Sequence, residues 1–172
     1  MGTSARTMGI SVTTTGSDQL LPLGFQYHEP AEDTNRYGER VWVYIRNEFG
    51  ADLAAGEIVY RDPSSGDTTI DWWGVLKSPA TNHIPRVNVV GVAQHAIADD
   101  AYGFVLVKGV GTILTGSAGL SADTAITTGG SAVGTGLDYA DDTAGANIGV
   151  IGSTAAAIGA AATGVAMIDC GV

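Results

Sequence analysis

Apolar and polar positions alternate along this chain in short runs. The apolar members are mostly the β-branched and aromatic residues that suit a pleated, half-buried surface. The longest such stretch is 87–110, VNVVGVAQHAIADDAYGFVLVKGV. It predicts a strand over 87–92, a polar bridge holding Asp99 and Asp100, and a strand over 102–107 that stops at Gly109-Val110-Gly111. Gly91 and Gly103 fall inside these strands, where glycine marks a bulge or a close backbone approach. The tail repeats the plan: 148–151, a bridge of small residues over 152–163, then 164–168 and a stop at Asp169-Cys170-Gly171. Gly149 and Gly164 are matched to Gly91 and Gly103, and the upstream segment 122–126 to 55–59. The pattern therefore predicts two similar β units, over 51–111 and 112–172.

Upstream, 40–46 (RVWVYIR) predicts a strand with Val41, Val43 and Ile45 on one face and Trp42 and Tyr44 on the other. The aliphatic face belongs in a core. The aromatic face, flanked by arginines, has either the composition of an interface or a second sheet lying over it. Segments 56–61 and 68–73 flank the turn Asp62-Pro63-Ser64-Ser65-Gly66 and read as a hairpin closed by Trp72-Trp73. A proline-bounded loop follows over 77–85. Further short strands are expected at 112–114, 125–127 and around Leu137-Asp138-Tyr139, with glycine turns between them. The one helix candidate, 153–162, contains Gly159 and lacks caps. Short strands separated by frequent turns mean an all-β fold, a small sandwich or barrel built from the two units.

Residues 1–38 break the pattern. They show no sustained period, and their one apolar patch is Leu20-Leu21-Pro22-Leu23. They read as an extended N-terminal arm with that patch as a docking anchor, or as a loosely packed terminus. The all-β domain then covers 39–172. Leu20, Leu21, Leu23, Trp42, Tyr44, Trp72 and Trp73 are the candidate interface residues.

Composition narrows the function. With 45% hydrophobic and 15% charged residues over 172 positions, the chain can bury a real core. The net charge is −10, and no lysine or arginine follows Lys108. Such a surface repels phosphate backbones, so no nucleic-acid partner is expected. The uncharged stretch 143–168 is long enough to span a bilayer. It is built from Ala, Gly, Ser and Thr and lacks basic flanks, so it reads as β-turn-β, with no membrane partner. The N-terminus lacks the apolar core of a signal peptide. A single cysteine, Cys170, in an apolar context reads as a small buried thiol.

Candidate chemistry is sparse. His28, His83 and His95 stand far apart and match no zinc spacing. No nucleophile elbow or Walker loop occurs. Asp123-Thr124-Ala125 and Asp169-Cys170-Gly171 approach the Asp-Thr/Ser-Gly triplet of aspartic proteases, but each breaks it at one position. Asp138, Asp141 and Asp142 could hold a calcium ion or simply be solvated turn residues, and no EF-hand spacing supports the first. The expectation is no enzyme, no cofactor and no metal.

Five segments together carry a resemblance: Gly38-Glu39-Arg40-Val41-Trp42-Val43-Tyr44, Leu53-Ala54-Ala55-Gly56-Glu57-Ile58-Val59, Val90-Gly91-Val92-Ala93-Gln94, Tyr102-Gly103-Phe104-Val105 with Gly109, and Ile148-Gly149-Val150. From Gly38 to Val172 the chain resembles the small all-β capsid decoration (cement, or head-stabilising) proteins of tailed bacteriophages. The resemblance implies a virion structural protein on the outer capsid surface. It would be a homotrimer bound to the major capsid protein, stabilising the shell by bridging neighbouring capsomers. Another virion surface component (fibre, spike or tail protein) or a glycan-binding β module is the alternative.

Overall fold

A computed structural model describes residues 9–31, 38–62, 72–80, 84–128, 132–138 and 150–171. These are all-β. The strands are β1 (Gln26–Glu29), β2 (Arg40–Asn47), β3 (Ile58–Arg61), β4 (Gly74–Lys77), β5 (Val89–Ala93), β6 (Tyr102–Leu114), β7 (Ala125–Thr128), β8 (Gly136–Asp138), β9 (Gly152–Ser153) and β10 (Thr163–Asp169), with one 3-10 turn at Arg86–Asn88.

Two rings of strands share β6. In the first, β2 pairs with β4 in parallel, and the antiparallel pairs β4–β3, β3–β5, β5–β6 and β6–β2 close the circuit. In the second, β6–β10, β10–β9, β9–β7 and β7–β8 pair antiparallel, and a parallel bridge from Gly136 of β8 to Thr115, just past β6, completes it. Along β6 the change of partner falls at Lys108, opposite Val41 of β2 on one hand and Asp169 of β10 on the other. Gly109 follows with φ 115°, where a Cβ would stand 2.7 Å from the Glu39 carbonyl oxygen. Only glycine passes through such a point without strain.

The rings match at their bridges, turns and glycines. Leu53 bridges Ile97 in the first and Leu120 bridges Ile158 in the second, each pair through two backbone hydrogen bonds of 2.8–3.1 Å. Three residues after each of these four comes a turn residue in the left-handed region: Gly56, Asp100, Asp123 and Ala161, with φ of 89°, 57°, 55° and 49°. The next strand starts two residues later in every case. Gly152 and Gly164 stand 61 positions after Gly91 and Gly103. A Cβ on Gly91 would meet the Leu106 carbonyl, and one on Gly152 the carbonyl of Met167, the matching residue of β10.

Inward-facing aliphatics fill both rings, among them Val43, Ile45, Val105 and Val107 in the first and Ile113, Ala166 and Ile168 in the second. Burying each of the valines and isoleucines stabilises by about 1.5–3 kcal/mol.

Several local expectations give way. The 87–92 strand starts late, because Pro85 leads into the 3-10 turn and Val87 is left exposed. Gly109-Val110-Gly111 does not stop the strand: β6 runs on to Leu114, so 112–114 is no separate element. The partner of β3 in the hairpin is β4, after the tryptophans, while 63–71 lie outside the described residues. No helix forms over 153–162, where Ile158 is held by its bridge to Leu120. The glycine in the place of Gly91 is Gly152; Gly149 lies outside the described residues, as do Ile148 and Tyr139. Residues 150–168 of the uncharged stretch form β9 and β10, and among the described residues no helix is long and apolar enough to cross a membrane.

Candidate interaction surfaces

Trp42 and Tyr44 point outward from the first ring, in register with Leu106 and Phe104 of β6. All four are buried nonetheless, because the chain lays its own N-terminal segment over them. Gly16 exchanges backbone hydrogen bonds with Tyr102 (3.2 and 2.8 Å), and the Leu20 N–H donates to the Tyr44 hydroxyl at 3.2 Å. Tyr44 stacks on Tyr102 and tilts against Phe104, with centroids 6.1 and 5.1 Å apart. Leu21 and Leu23 are half-buried against the core, and β1 extends the sheet beside β2. The Trp42 Nε1–H donates to Glu29 at 2.9 Å, and the same carboxylate pairs with Arg40 at 2.9 Å. The aromatic face is covered, but by the N-terminal segment and not by a second sheet. In this form of the chain Trp42 and Tyr44 present no surface to a partner.

Trp73 is half-buried against the core and its carbonyl accepts from the Arg46 N–H, whereas Trp72 is 62% exposed. The Arg61 guanidinium lies 5.2 Å from the Trp72 ring and 5.1 Å from that of Trp73. Leu20, 52% exposed, is the one leucine of its patch that faces outward. The structure thus gathers Leu20, Leu21, Leu23 and Tyr44 into one region, while Trp72 stands exposed on an arginine it shares with Trp73.

Titratable groups are engaged in holding the body. Buried Glu57 pairs with half-buried Lys77 at 2.9 Å, and the other Glu57 oxygen accepts the Ala54 N–H at 2.6 Å. In the matching place of the second ring the buried Asp138 carboxylate accepts from the Thr124 hydroxyl (2.6 Å) and the Ser121 N–H (2.9 Å). Burial alone would raise the Asp138 carboxyl, but these hydrogen bonds outweigh it and hold the group below its ordinary value. Asp141 and Asp142 lie outside the described residues. Asp99 and Asp100 tie a turn: Asp99 accepts from the Gly50 N–H at 2.9 Å, and Asp100 pairs with Arg46 at 2.9 Å. Asp123 sits in a left-handed turn and Asp169 pairs with Arg86 at 2.9 Å, so the two protease-like triplets are structural corners.

His28 lies 3.6 Å from Glu39, and His83 is outside the described residues. His95 borders a cleft of about 230 Å³ beside Trp42, and burial pulls its imidazole below the ordinary value. Among the described residues no group of three or more His, Cys, Asp or Glu side chains is placed to hold a metal ion. Cys170 is buried, with its thiol pushed up to about 12, first by burial and then by Asp169, against a smaller downward pull from Arg86.

One surface has no counterpart among the candidate residues. On β10 the alternation puts Ala166 and Ile168 inside and leaves Val165 and Met167 outside, 56% and 49% exposed. Val110 and Thr112 of β6, opposite Met167 and Val165, share that face. Three depressions border it: the 230 Å³ cleft at Val165, and grooves of about 460 and 290 Å³ on either side of Met167. The signal was the two-residue period of 163–169, hidden because every residue from Gly164 to Ile168 is apolar or small.

No family model and no curated protein matches the chain. Among solved structures, the chain is similar to the head fibre gp8.5 N base of bacteriophage phi29, with 14% sequence identity and a TM-score of 0.47 over 75% of this chain and 95% of that one.

Proposed function

We propose that this chain is a structural component of a tailed-phage virion. In this reading it binds the outer surface of the capsid as a homotrimer and stabilises the shell by bridging adjacent capsomers. Its partners are the major capsid protein and other copies of itself, and it catalyses no reaction. The sequence resemblance over 38–172 supplies the class. The observation that carries the reading is how the body uses its charges. Four of the six described basic side chains (Arg40, Arg46, Lys77 and Arg86) are spent in ion pairs that fix the rings. What the molecule turns outward is an acidic surface and a neutral, aliphatic sheet face. That is the surface of a protein that holds others in place.

The residues carrying the resemblance have structural reasons to be there. Leu53 and Gly56 make a bridge and a left-handed turn, Gly91 and Gly103 admit close neighbours, and Gly109 passes β6 from one ring to the other. The matched turns and glycines support reading the two rings as copies of one β unit. Several weak contacts per trimer, made in parallel, would multiply through effective concentration.

Co-sedimentation with capsid shells lacking this protein tests the reading. The purified chain is expected to pellet with shells at saturable stoichiometry and to raise the temperature at which they come apart. Shells that neither retain the chain nor gain stability from it would end the reading.

A further inference from the structure

The two rings treat equivalent faces differently. Phe104 and Leu106 of β6 correspond to Val165 and Met167 of β10, by the 61-position offset that also relates Gly91 to Gly152 and Gly103 to Gly164. The first pair is 0% exposed under the N-terminal segment; the second stands open at 56% and 49%. Val110 and Thr112 widen the open face, and the grooves beside Val165 and Met167 leave room for side chains of an incoming surface. Val12 and Thr13 of the covering segment line the same cleft as Val165 and Val110.

We propose that this outward face of β6 and β10 in the second ring is where copies of the chain pack against one another. The inference deepens the self-association in the proposed function and rests on that reading for the number of copies. Charge selects the occupant. At net −10, two copies repel over most of their surface. On this face Val110, Thr112, Val165 and Met167 carry no charge, and the carboxylate at its end, Asp169, is neutralised by Arg86 at 2.9 Å. Lys108, opposite Asp169 in the strand register, makes no ion pair among the described residues and can receive a carboxylate from the neighbouring copy. A basic partner would be drawn instead to the exposed acids Asp52, Asp99 and Asp123. A neutral aliphatic centre with a charged rim is the anatomy of a protein–protein contact.

Analytical ultracentrifugation of the full chain over a range of micromolar concentrations tests the proposal, with Val165→Asp, Met167→Asp, Met167→Leu and, as a control away from the face, Val87→Asp. The wild-type chain is expected to self-associate. Each aspartate on the face should weaken association at least about tenfold, with far-ultraviolet circular dichroism unchanged because both side chains are exposed and melting lowered only as far as the lost association requires. Met167→Leu and Val87→Asp should associate as wild type. A monomeric wild-type chain, or an oligomer indifferent to both aspartates, overturns the proposal. The shell assay separates the two ideas: an oligomer that binds shells but is indifferent to both aspartates defeats this inference alone, a monomer that binds shells defeats it together with the homotrimer of the proposed function, and a face-dependent oligomer that ignores shells defeats only the shell binding.

Discussion

Asn47 and Thr115 hold the same post in the two rings. Each ends or follows the strand that opens its ring, and each donates its backbone N–H at 2.9 Å to the residue before the closing strand, Ala101 or Ala162. Each then turns a buried side chain into the loop ahead of that strand. The Asn47 amide faces the carbonyl oxygens of Ala51, Ala98 and Ile97 at 2.8, 3.0 and 3.1 Å, and the Thr115 hydroxyl donates to Gly159 at 2.6 Å. Both side chains satisfy loop carbonyls that the sheet cannot reach.

Removing these side chains strands the carbonyls in a dry site. Asn47→Ala is expected to cost about 2–4 kcal/mol and Thr115→Val about 1–2 kcal/mol, since each buried polar group left unpaired costs roughly 1–3 kcal/mol. Urea denaturation at equilibrium gives the values, and the ranking should hold because Asn47 serves more partners. Equal losses would contradict it.

Asp138 makes the second ring sensitive to acid. Its folded carboxyl titrates below the unfolded one, so its contribution is complete above the unfolded pKa and is lost as pH falls through the folded pKa. Asp138→Asn should destabilise by about 1–3 kcal/mol at neutral pH, because an amide offers a single acceptor oxygen and sets an NH2 donor against the donors of Ser121 or Thr124. The gap between wild type and variant should narrow as the buffer is acidified. Melting temperature against pH for both proteins reads this directly.

The first ring uses Glu57 and Lys77 where the second uses Thr124 and Asp138, and the exchange can be tested by transplanting one solution onto the other. Lys77→Asp alone sets a carboxylate against the buried Glu57 and is expected to cost about 3–5 kcal/mol, the scale for breaking a buried pair. Glu57→Thr with Lys77→Asp recreates the Thr–Asp hydrogen bond. The double variant should be more stable than the Lys77→Asp single, with a coupling of roughly 1–3 kcal/mol in a double-mutant cycle. An additive cycle would show that the two sites are not interchangeable.

Cys170 should resist alkylation in the folded protein. With the thiol pushed up to about 12 and the side chain buried, almost no thiolate forms at neutral pH. Labelling by iodoacetamide should be negligible in native buffer and complete in denaturant. Rapid native labelling would place the thiol at the surface.

The sequence made the all-β class legible because apolar runs of four to eight residues came bounded by glycine turns. The Ala122–Ile126 and Gly164 matches were readable as well: β7 follows Asp123 as β3 follows Gly56, and Gly164 stands 61 positions after Gly103. The sequence hid the length of β6, because Gly109 and Gly111 look like a stop yet lie where the strand changes partners. Where the arm lies is not legible for a related reason. Nothing periodic in 1–38 says that Gly16 will bond to Tyr102 or Leu20 to Tyr44, since those partners lie far along the chain. Trp42 and Tyr44, large aromatics between arginines, have an interface-like composition, while Val165 and Met167 are plain apolar residues in an apolar run and carry no such mark.

The strand common to both rings has a mechanical consequence. Thirteen residues of extended chain span roughly 43 Å, so one unbroken length of covalent backbone splices the two halves like a beam. A pull on either end is passed along that beam and resisted in shear by the ladders flanking it, not by a hinge. Whatever grips the two ends is therefore kept at a fixed separation, and the body should yield to force as a single piece.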